Sequence, residues 1–152
     1  MLYIAADHAG HALKKYLTRY LEKQLKRECV DLGAKEYDKE DDFPDYAFVL
    51  AKKVSEDPDN VGILICGSGQ GVCMAANKVH GIRAMLGYSI ESAEWGRKHD
   101  HANVLCLAGR VLSEEHATAI VKTFLETEKN HQEKYVRRIQ KISIFEAKTY
   151  VL

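Results

Sequence analysis

Short, continuous apolar runs alternate with longer amphipathic segments along this chain, and this alternation constrains the fold more than any other feature. Within the run Gly62–Cys66 the apolar residues are successive rather than alternating, which is typical of a strand buried on both faces. Such a strand needs helices above and below it, so the pattern predicts an α/β fold: a doubly wound, five-stranded parallel sheet with helices on both faces. The predicted strands are Leu2–Ala6, Glu28–Leu32, Gly62–Cys66, Arg83–Leu86 and Val104–Leu107.

Helical segments are predicted between these runs and after the last one. From Leu13 to Leu25, apolar residues recur at steps of three and four, which predicts a helix with one buried stripe. Ser113 is placed to cap a helix that runs to about Thr127. A further amphipathic pattern predicts a C-terminal helical arm over about 131–152. We interpret the chain as one domain, 1–152, whose arm is a candidate for packing on a second subunit.

The charge balance narrows the classes of partner. The chain has 22 Lys and Arg against 22 Asp and Glu, so composition predicts no nucleic-acid and no membrane partner, and a small charged ligand must be bound by local charge. Met1–Ala6 is apolar but Asp7 follows at once, and no apolar run reaches the ~18 residues of a membrane span. We therefore expect a soluble, cytoplasmic protein.

The cysteines and histidines predict neither a disulfide framework nor a metal centre. Cysteines stand far apart, at Cys29, Cys66, Cys73 and Cys106, without a C-x-x-C pair, so free thiols are expected, with Cys29 and Cys106 buried. His8-x-x-His11 and His99-x-His101 are weak metal-ligand signals because no third ligand is placed by sequence. No metal and no cofactor is predicted.

Polar residues adjoin three of the predicted strands. In open α/β sheets, ligands bind outside the carboxyl ends of the strands. Asp7-His8 follows the first strand, Cys66–Gly71 follows the third, and His99-Asp100 comes shortly before the fifth. The first two of these segments are expected to meet at one edge of the sheet.

The segment after the third strand carries the glycines Gly67, Gly69 and Gly71 in a G-x-G-x-G series. This series matches neither the dinucleotide nor the nucleoside-triphosphate fingerprint, so neither cofactor is supported. Glycines let the backbone approach a ligand, and amides at a following helix start can stabilise an anion or a developing oxyanion. The same amides would favour the thiolate of Cys66 as a proton acceptor, although a buried strand-terminal thiol is an equally open interpretation.

Further side chains can complete a site for a phosphorylated polyol. Asp7, His8 and Ser68 can hydrogen-bond hydroxyl groups. Lys134 and Arg138 are four residues apart on the predicted arm and project to one face, which suits a phosphate or a merely solvated basic surface. Arg110, after the fifth strand, would add a cation at the ligand side of the sheet.

An ordered set of motifs resembles the ribose-5-phosphate isomerase B family, which also includes galactose-6-phosphate isomerase subunits. The resemblance covers about residue 2 to about residue 143. The motifs are Ala5-Ala6-Asp7-His8-Ala9-Gly10, Asp42-Phe43-Pro44-Asp45-Tyr46-Ala47, Cys66-Gly67-Ser68-Gly69-Gln70-Gly71, Ala75-Ala76-Asn77-Lys78, Gly81-Ile82-Arg83-Ala84, and His99 followed by Asn103-Val104-Leu105.

The resemblance implies a metal-free aldose–ketose isomerase with a Rossmann-like fold, active as a homodimer or homotetramer whose sites are shared between subunits. By this resemblance Cys66 shuttles a proton between C1 and C2, Ser68 and the loop amides hold the enediolate, Asp7 binds substrate hydroxyls, and His99 assists ring opening. The positions that match the family's phosphate site are His8, Arg110, Lys134 and Arg138.

The chain departs from the family pattern at several positions. Asp100 replaces an Asn usual after the ring-opening histidine, and this puts a charge near substrate oxygens. Lys134 replaces an Arg and loses the planar fork that binds phosphate oxygens in pairs, while Arg137 is an alternative to Arg138. Phe43 stands where Tyr is common. Val72 occupies the position of the Glu base found in relatives without the cysteine.

Four functional hypotheses follow. The first is interconversion of D-ribose 5-phosphate and D-ribulose 5-phosphate through an enediolate, and the second is the same reaction on allose 6-phosphate or galactose 6-phosphate. The third is a non-enzymatic, flavodoxin-like signalling module, although a phosphoacceptor would need an acid where Cys66 stands. The fourth is a redox-sensing thiol protein with Cys73 as the resolving cysteine.

Overall fold

The computed structural model describes residues 1–149, which form a five-stranded parallel sheet and six helices. The strands are β1 Leu2–Ala6, β2 Val30–Asp31, β3 Val61–Cys66, β4 Ala84–Leu86 and β5 Val104–Ala108. The helices are α1 His11–Lys23, α2 Phe43–Ser55, α3 Gln70–Ala76, α4 Ile90–Asp100, α5 Glu114–Glu126 and α6 Glu133–Thr149. Residues 150–152, the end of the predicted arm, lie outside the described residues.

The strands are ordered β2-β1-β3-β5-β4, and all four neighbouring pairs are parallel. β3 lies at the centre, with β1 on one side and β5 on the other, so the predicted meeting of the segments after β1 and β3 is confirmed. The prediction of a strand over Glu28–Leu32 was too long, because β2 is an exposed edge strand of two residues that pairs with β1 alone.

Two hydrophobic clusters cover the two faces of the sheet, which confirms the doubly wound architecture. On one face α1, α4 and α5 pack on Ile4, Ile63 and Leu105. On the other face α2 and α3 pack on Leu64 and Cys106. β3 is buried along its whole length, as its unbroken apolar run predicts.

Local signals place the helix starts where the sequence indicates. The Ser113 side chain accepts a hydrogen bond from the His116 amide at 3.2 Å, and the helix that follows ends at Glu126. Pro44 lies in the first turn of α2, where its missing N–H costs nothing. Ser89 and Ser92 form a capping box at the start of α4.

The arm is the least embedded part of the described chain. α6 has no buried residue, and its apolar side chains Ile142, Ile144 and Phe145 are exposed. It is tied to the body by Glu146, which accepts a 3.0 Å hydrogen bond from the Gly81 amide, and by Tyr135. Among residues 1–149, no helix has the combination of length and apolar character needed to cross a bilayer.

Candidate active site

A cleft of about 460 Å³ opens at the carboxyl edge of the sheet, where β1, β3 and β5 end side by side. Parallel strands deliver the residues that follow them to the same edge, so segments far apart in sequence meet there. The predicted site residues among its lining are Asp7, His8, Cys66, Gly67, Ser68, Gly71 and Arg110. Phe43, at the start of α2, forms part of the wall.

Cys66 ends β3, and the loop after it turns a backbone donor onto its sulfur. The Gly69 amide donates a hydrogen bond to Sγ at 3.2 Å. Gly69 has a φ of +75°, and a Cβ there would lie 3.0 Å from the backbone carbonyl carbon of Leu107, so both the conformation and the close packing favour glycine. The sulfur is therefore held at the start of α3 by a backbone donor.

The segment after β1 lies directly against the Cys66 segment. A Cβ on Gly10 would stand 2.5 Å from the Ile65 carbonyl oxygen, so only glycine permits this approach. The buried Asp7 carboxylate accepts a 3.0 Å hydrogen bond from the Gly10 amide, and this bond fixes the orientation of the carboxylate. On the other side, the Arg110 amide donates to the Gly67 carbonyl at 3.1 Å and places that guanidinium at the cleft.

Asp41 is a functional candidate that sequence reasoning missed. Its Oδ1 accepts hydrogen bonds from the His8 amide at 3.1 Å and from ring Nδ1 at 2.6 Å. Ligand atoms of Asp7, His8 and Asp41 lie within 4.8 Å of one another and could in principle hold a metal ion. However, the His8 Nδ1 atom is used in the hydrogen bond to Asp41. The missed signal was a carboxylate in a charge-rich loop, which carries no fixed spacing from a strand end.

The remaining predicted residues form a second group around Tyr135 of α6. The His99 ring stacks on the Tyr135 ring, with centroids 4.7 Å apart and an interplanar angle of 7°. Lys134 Nζ lies 4.9 Å and the Arg138 guanidinium carbon 5.8 Å from the centre of the same ring. Arg137 instead forms a 3.1 Å ion pair with Glu133. Tyr135 thus gathers the imidazole and both cations.

The cleft group lies at the carboxyl ends of the parallel strands, and the Tyr135 group lies at their amino ends. All strands are parallel, so α4 leaves the carboxyl edge after β4 and must return to the amino edge before β5 begins. His99 and Asp100 lie in its last turn, and neither is among the residues that line the carboxyl-edge cleft. Asp100 lines a groove of about 760 Å³ beside α6, with Arg83 and Lys141. One chain therefore does not assemble the whole predicted set.

The other thiols differ in their surroundings. Burial raises the pKa of Cys106 well above its ordinary value, and its hydrogen bond with Cys73 adds to the rise. That hydrogen bond lowers the pKa of Cys73. The prediction that Cys29 is buried was wrong. Cys29 is only half-buried, because it lies beside the short edge strand β2. Burial, together with Glu22 and Asp31, raises the pKa of Cys29.

The sequence profile of the Ribose/Galactose Isomerase family matches residues 2–142. This chain belongs to the ribose/galactose isomerase family. A probable ribose-5-phosphate isomerase B of Mycoplasma pneumoniae is 46% identical to it, over 95% of this chain and 94% of that protein. The ribose-5-phosphate isomerase B of Mycobacterium tuberculosis is 37% identical, over 95% of this chain and 89% of that protein.

Solved structures agree with this membership. The ribose-5-phosphate isomerase B of Mycoplasma genitalium, crystallised with bound ribulose-5-phosphate, is 45% identical and superposes with a TM-score of 0.91 over 96% of this chain and 95% of that one. The type B enzyme of Trypanosoma cruzi gives a TM-score of 0.92 at 36% identity, over 97% of both chains. The Rossmann-like α/β architecture of the ribose/galactose isomerase family is therefore the fold of this chain.

Proposed function

We propose that the protein interconverts D-ribose 5-phosphate and D-ribulose 5-phosphate with Cys66 as the base. The protein is an aldose–ketose isomerase of the ribose-5-phosphate isomerase B type. The observation that carries the assignment of the base is the Gly69 amide on Cys66 Sγ, in a cleft that also holds Asp7, His8 and Arg110.

The proton transfer is the step for which the Cys66 loop is suited. The thiolate removes the proton from C2 of the open-chain aldose, and the electrons of the broken C–H bond pass to the carbonyl to give an enediolate. Transfer of the hydroxyl proton from O2 to O1, with delivery of the thiol proton to C1, then yields the ketose and regenerates the thiolate. Ser68 and the glycine-loop amides stabilise the negative charge that develops on the substrate oxygens, and Asp7 binds the hydroxyls.

The phosphate is held by cations from two chains. His8 and Arg110 line the cleft of one chain. Lys134 and Arg138 reach the same phosphate from a second copy, together with His99, which moves protons during opening of the furanose ring. Arg138 is preferred to Arg137 for this contact because Arg137 is already paired with Glu133.

A second copy of the chain is the partner that this site requires. The predicted residues stand at opposite edges of one sheet, and a symmetric dimer brings the amino edge of one copy to the carboxyl edge of the other. The unburied arm α6, with Phe145 73% exposed, offers apolar surface for that contact. Whether dimers pair further into a homotetramer, and the cytoplasmic location, stay predictions.

The exposed carboxylate of Asp100 favours a second candidate substrate, a six-carbon sugar phosphate. Its carboxylate is exposed next to His99 and accepts hydrogen bonds without donating any. A six-carbon sugar phosphate, allose 6-phosphate or galactose 6-phosphate, offers one more hydroxyl donor for such a group.

Steady-state assay with ribose 5-phosphate and with allose 6-phosphate tests the substrate, and Cys66→Ser tests the base. We expect a kcat/KM that favours ribose 5-phosphate. Cys66→Ser should lower kcat by at least ~10²-fold with a smaller change in KM, because a hydroxyl does not ionise usefully at neutral pH. Iodoacetamide should inactivate the wild type, and ribose 5-phosphate should protect it.

Cys73→Ser is the matched control, since Cys73 is a nearby thiol whose pKa is lowered by its hydrogen bond with Cys106. It should keep its activity. A folded Cys66→Ser variant with the wild-type rate, beside an inactive Cys73→Ser variant, would show that the base is misassigned. A faster reaction with allose 6-phosphate would replace the proposed substrate.

A further inference from the structure

Asp41 lies behind the cleft and contacts it through His8. Both hydrogen bonds that its Oδ1 accepts come from His8, one from the backbone and one from the ring. The Asp41 side chain is only 7% exposed, and that of His8 is 22% exposed. His8 lines the cleft and Asp41 does not.

The protonation of this pair follows from the surroundings of Asp41. Burial on its own would raise the pKa of Asp41, but the hydrogen bonds from His8, with the nearby Tyr46 hydroxyl, outweigh it and lower the pKa. An ionised carboxylate only accepts hydrogen bonds, so the proton between the two side chains belongs to His8 Nδ1. Ring Nε2 is then the nitrogen left for a ligand, and no hydrogen bond joins it to another residue among 1–149.

A third contact limits the orientation of the imidazole. The Tyr37 ring meets the His8 ring edge-on, with centroids 6.1 Å apart and an interplanar angle of 89°. The ring is therefore held at one nitrogen by a buried carboxylate and from the side by an aromatic ring. Nearby charges are Asp41 at Nδ1, the buried Asp7 carboxylate, and Arg110 across the cleft.

We propose that Asp41 is a positioning residue for His8: its carboxylate fixes the imidazole through Nδ1 and so directs Nε2 at the substrate phosphate. This inference rests on the phosphate site proposed above. A histidine that binds a ligand through one ring nitrogen is oriented by the partner of the other.

The experiment combines single and double substitutions with inorganic phosphate as the probe. Asp41→Asn keeps the shape and one acceptor oxygen but removes the charge. We expect it to raise both KM for ribose 5-phosphate and the inhibition constant of phosphate by at least about fivefold, because hydrogen bonds to charged groups are the stronger ones, with kcat changed far less. In a His8→Ala background the same substitution should add almost nothing, since the partner through which Asp41 acts is gone.

Asp42→Asn is the matched control. Asp42 is the neighbouring carboxylate, it is exposed, and its side chain makes no capping hydrogen bond to α2. Asparagine is also a good residue at a helix N-cap, so this variant should keep the wild-type KM and phosphate inhibition. The ¹⁵N signals of the wild-type His8 ring, identified by their loss in His8→Ala, should show a proton on Nδ1 whether or not Asp41→Asn folds well.

Three results would overturn the inference about Asp41 alone. One is an Asp41→Asn variant with unchanged phosphate inhibition while His8→Ala weakens it, which leaves the phosphate role of His8 intact. Another is an equal effect of Asp41→Asn in the presence and absence of His8. The third is an unprotonated Nδ1 in the wild type. If instead His8→Ala leaves phosphate inhibition unchanged, the phosphate role proposed for His8 fails, and the inference fails with it.

Discussion

At the scale of single residues, the chemistry depends on what faces each reactive atom. The Cys66 sulfur faces a backbone amide, whereas the Cys106 thiol is enclosed in the core and its pKa is raised. The two thiols come from neighbouring strands and have similar sequence surroundings, so apolar context alone does not separate a base from a core residue. The loop that follows Cys66 makes the difference.

His99 should be needed for ring opening and not for the proton transfer itself. Its imidazole is held by stacking on Tyr135, apart from the Cys66 cleft of its own chain. We expect His99→Asn to slow the conversion of ribose 5-phosphate, which is mostly cyclic. Solvent-hydrogen exchange at C1 of ribulose 5-phosphate should persist, because exchange requires only the enediolate and the base.

Isomerisation assays and proton NMR in D₂O measure the two processes separately. Cys66→Ser is the control, since it should lose both. Equal loss of exchange and of conversion in a folded His99→Asn variant would contradict the ring-opening role.

At the scale of elements, the strands and helices were predictable where periodicity is strong. β1 was predicted at its observed bounds, and α5 ends one residue before the predicted Thr127. The site was predictable only where residues follow strand ends, as with Asp7 and Cys66. Asp41 could not be found this way, because its role comes from a loop folding back on His8 over 33 residues of separation. The stacking of Tyr135 on His99 could not be predicted either, because no sequence pattern relates the arm to the end of α4.

The end of α4 should make stability depend on pH. His101 terminates this helix in the left-handed region, with a φ of 52°, and its Nε2 hydrogen-bonds the Asn130 carbonyl at 2.8 Å. Burial, with help from neighbouring cations such as Lys129, lowers the pKa of His101. Below the ordinary histidine pKa of about 6.5, the unfolded chain binds a proton that the folded chain excludes. The free energy of unfolding should therefore fall as the pH falls through that value, and level off below the folded-state pKa.

Urea unfolding at pH 7.5 and pH 5.5 checks this expectation at a fixed protein concentration. His101→Asn should reduce the difference between the two pH values, and asparagine tolerates the left-handed backbone. His116→Asn is the matched control because His116 is exposed. A difference that His101→Asn leaves unchanged would exclude His101 as its source.

At the scale of the whole molecule, sheet topology decides how many chains make a site. A parallel sheet delivers strand-following residues to one edge, and each helix that returns from that edge carries its last turn to the other. Cys66 and His99 belong to these two classes, so a chain of this topology separates them. In the proposed dimer, a symmetric pair of chains would bring them together at each of two equivalent sites.

Mixing two impaired variants tests this arrangement directly. One carries Cys66→Ser, and the other carries Lys134→Met together with Arg138→Met. In a hybrid dimer one site receives both defects, but the other joins an intact Cys66 to an intact basic pair from its partner. Random exchange makes half of the dimers hybrid, each with one intact site out of two, so activity should recover to about a quarter of the wild-type value. Hybrids detected by native mass spectrometry without any recovery of activity would show that each site is built from a single chain.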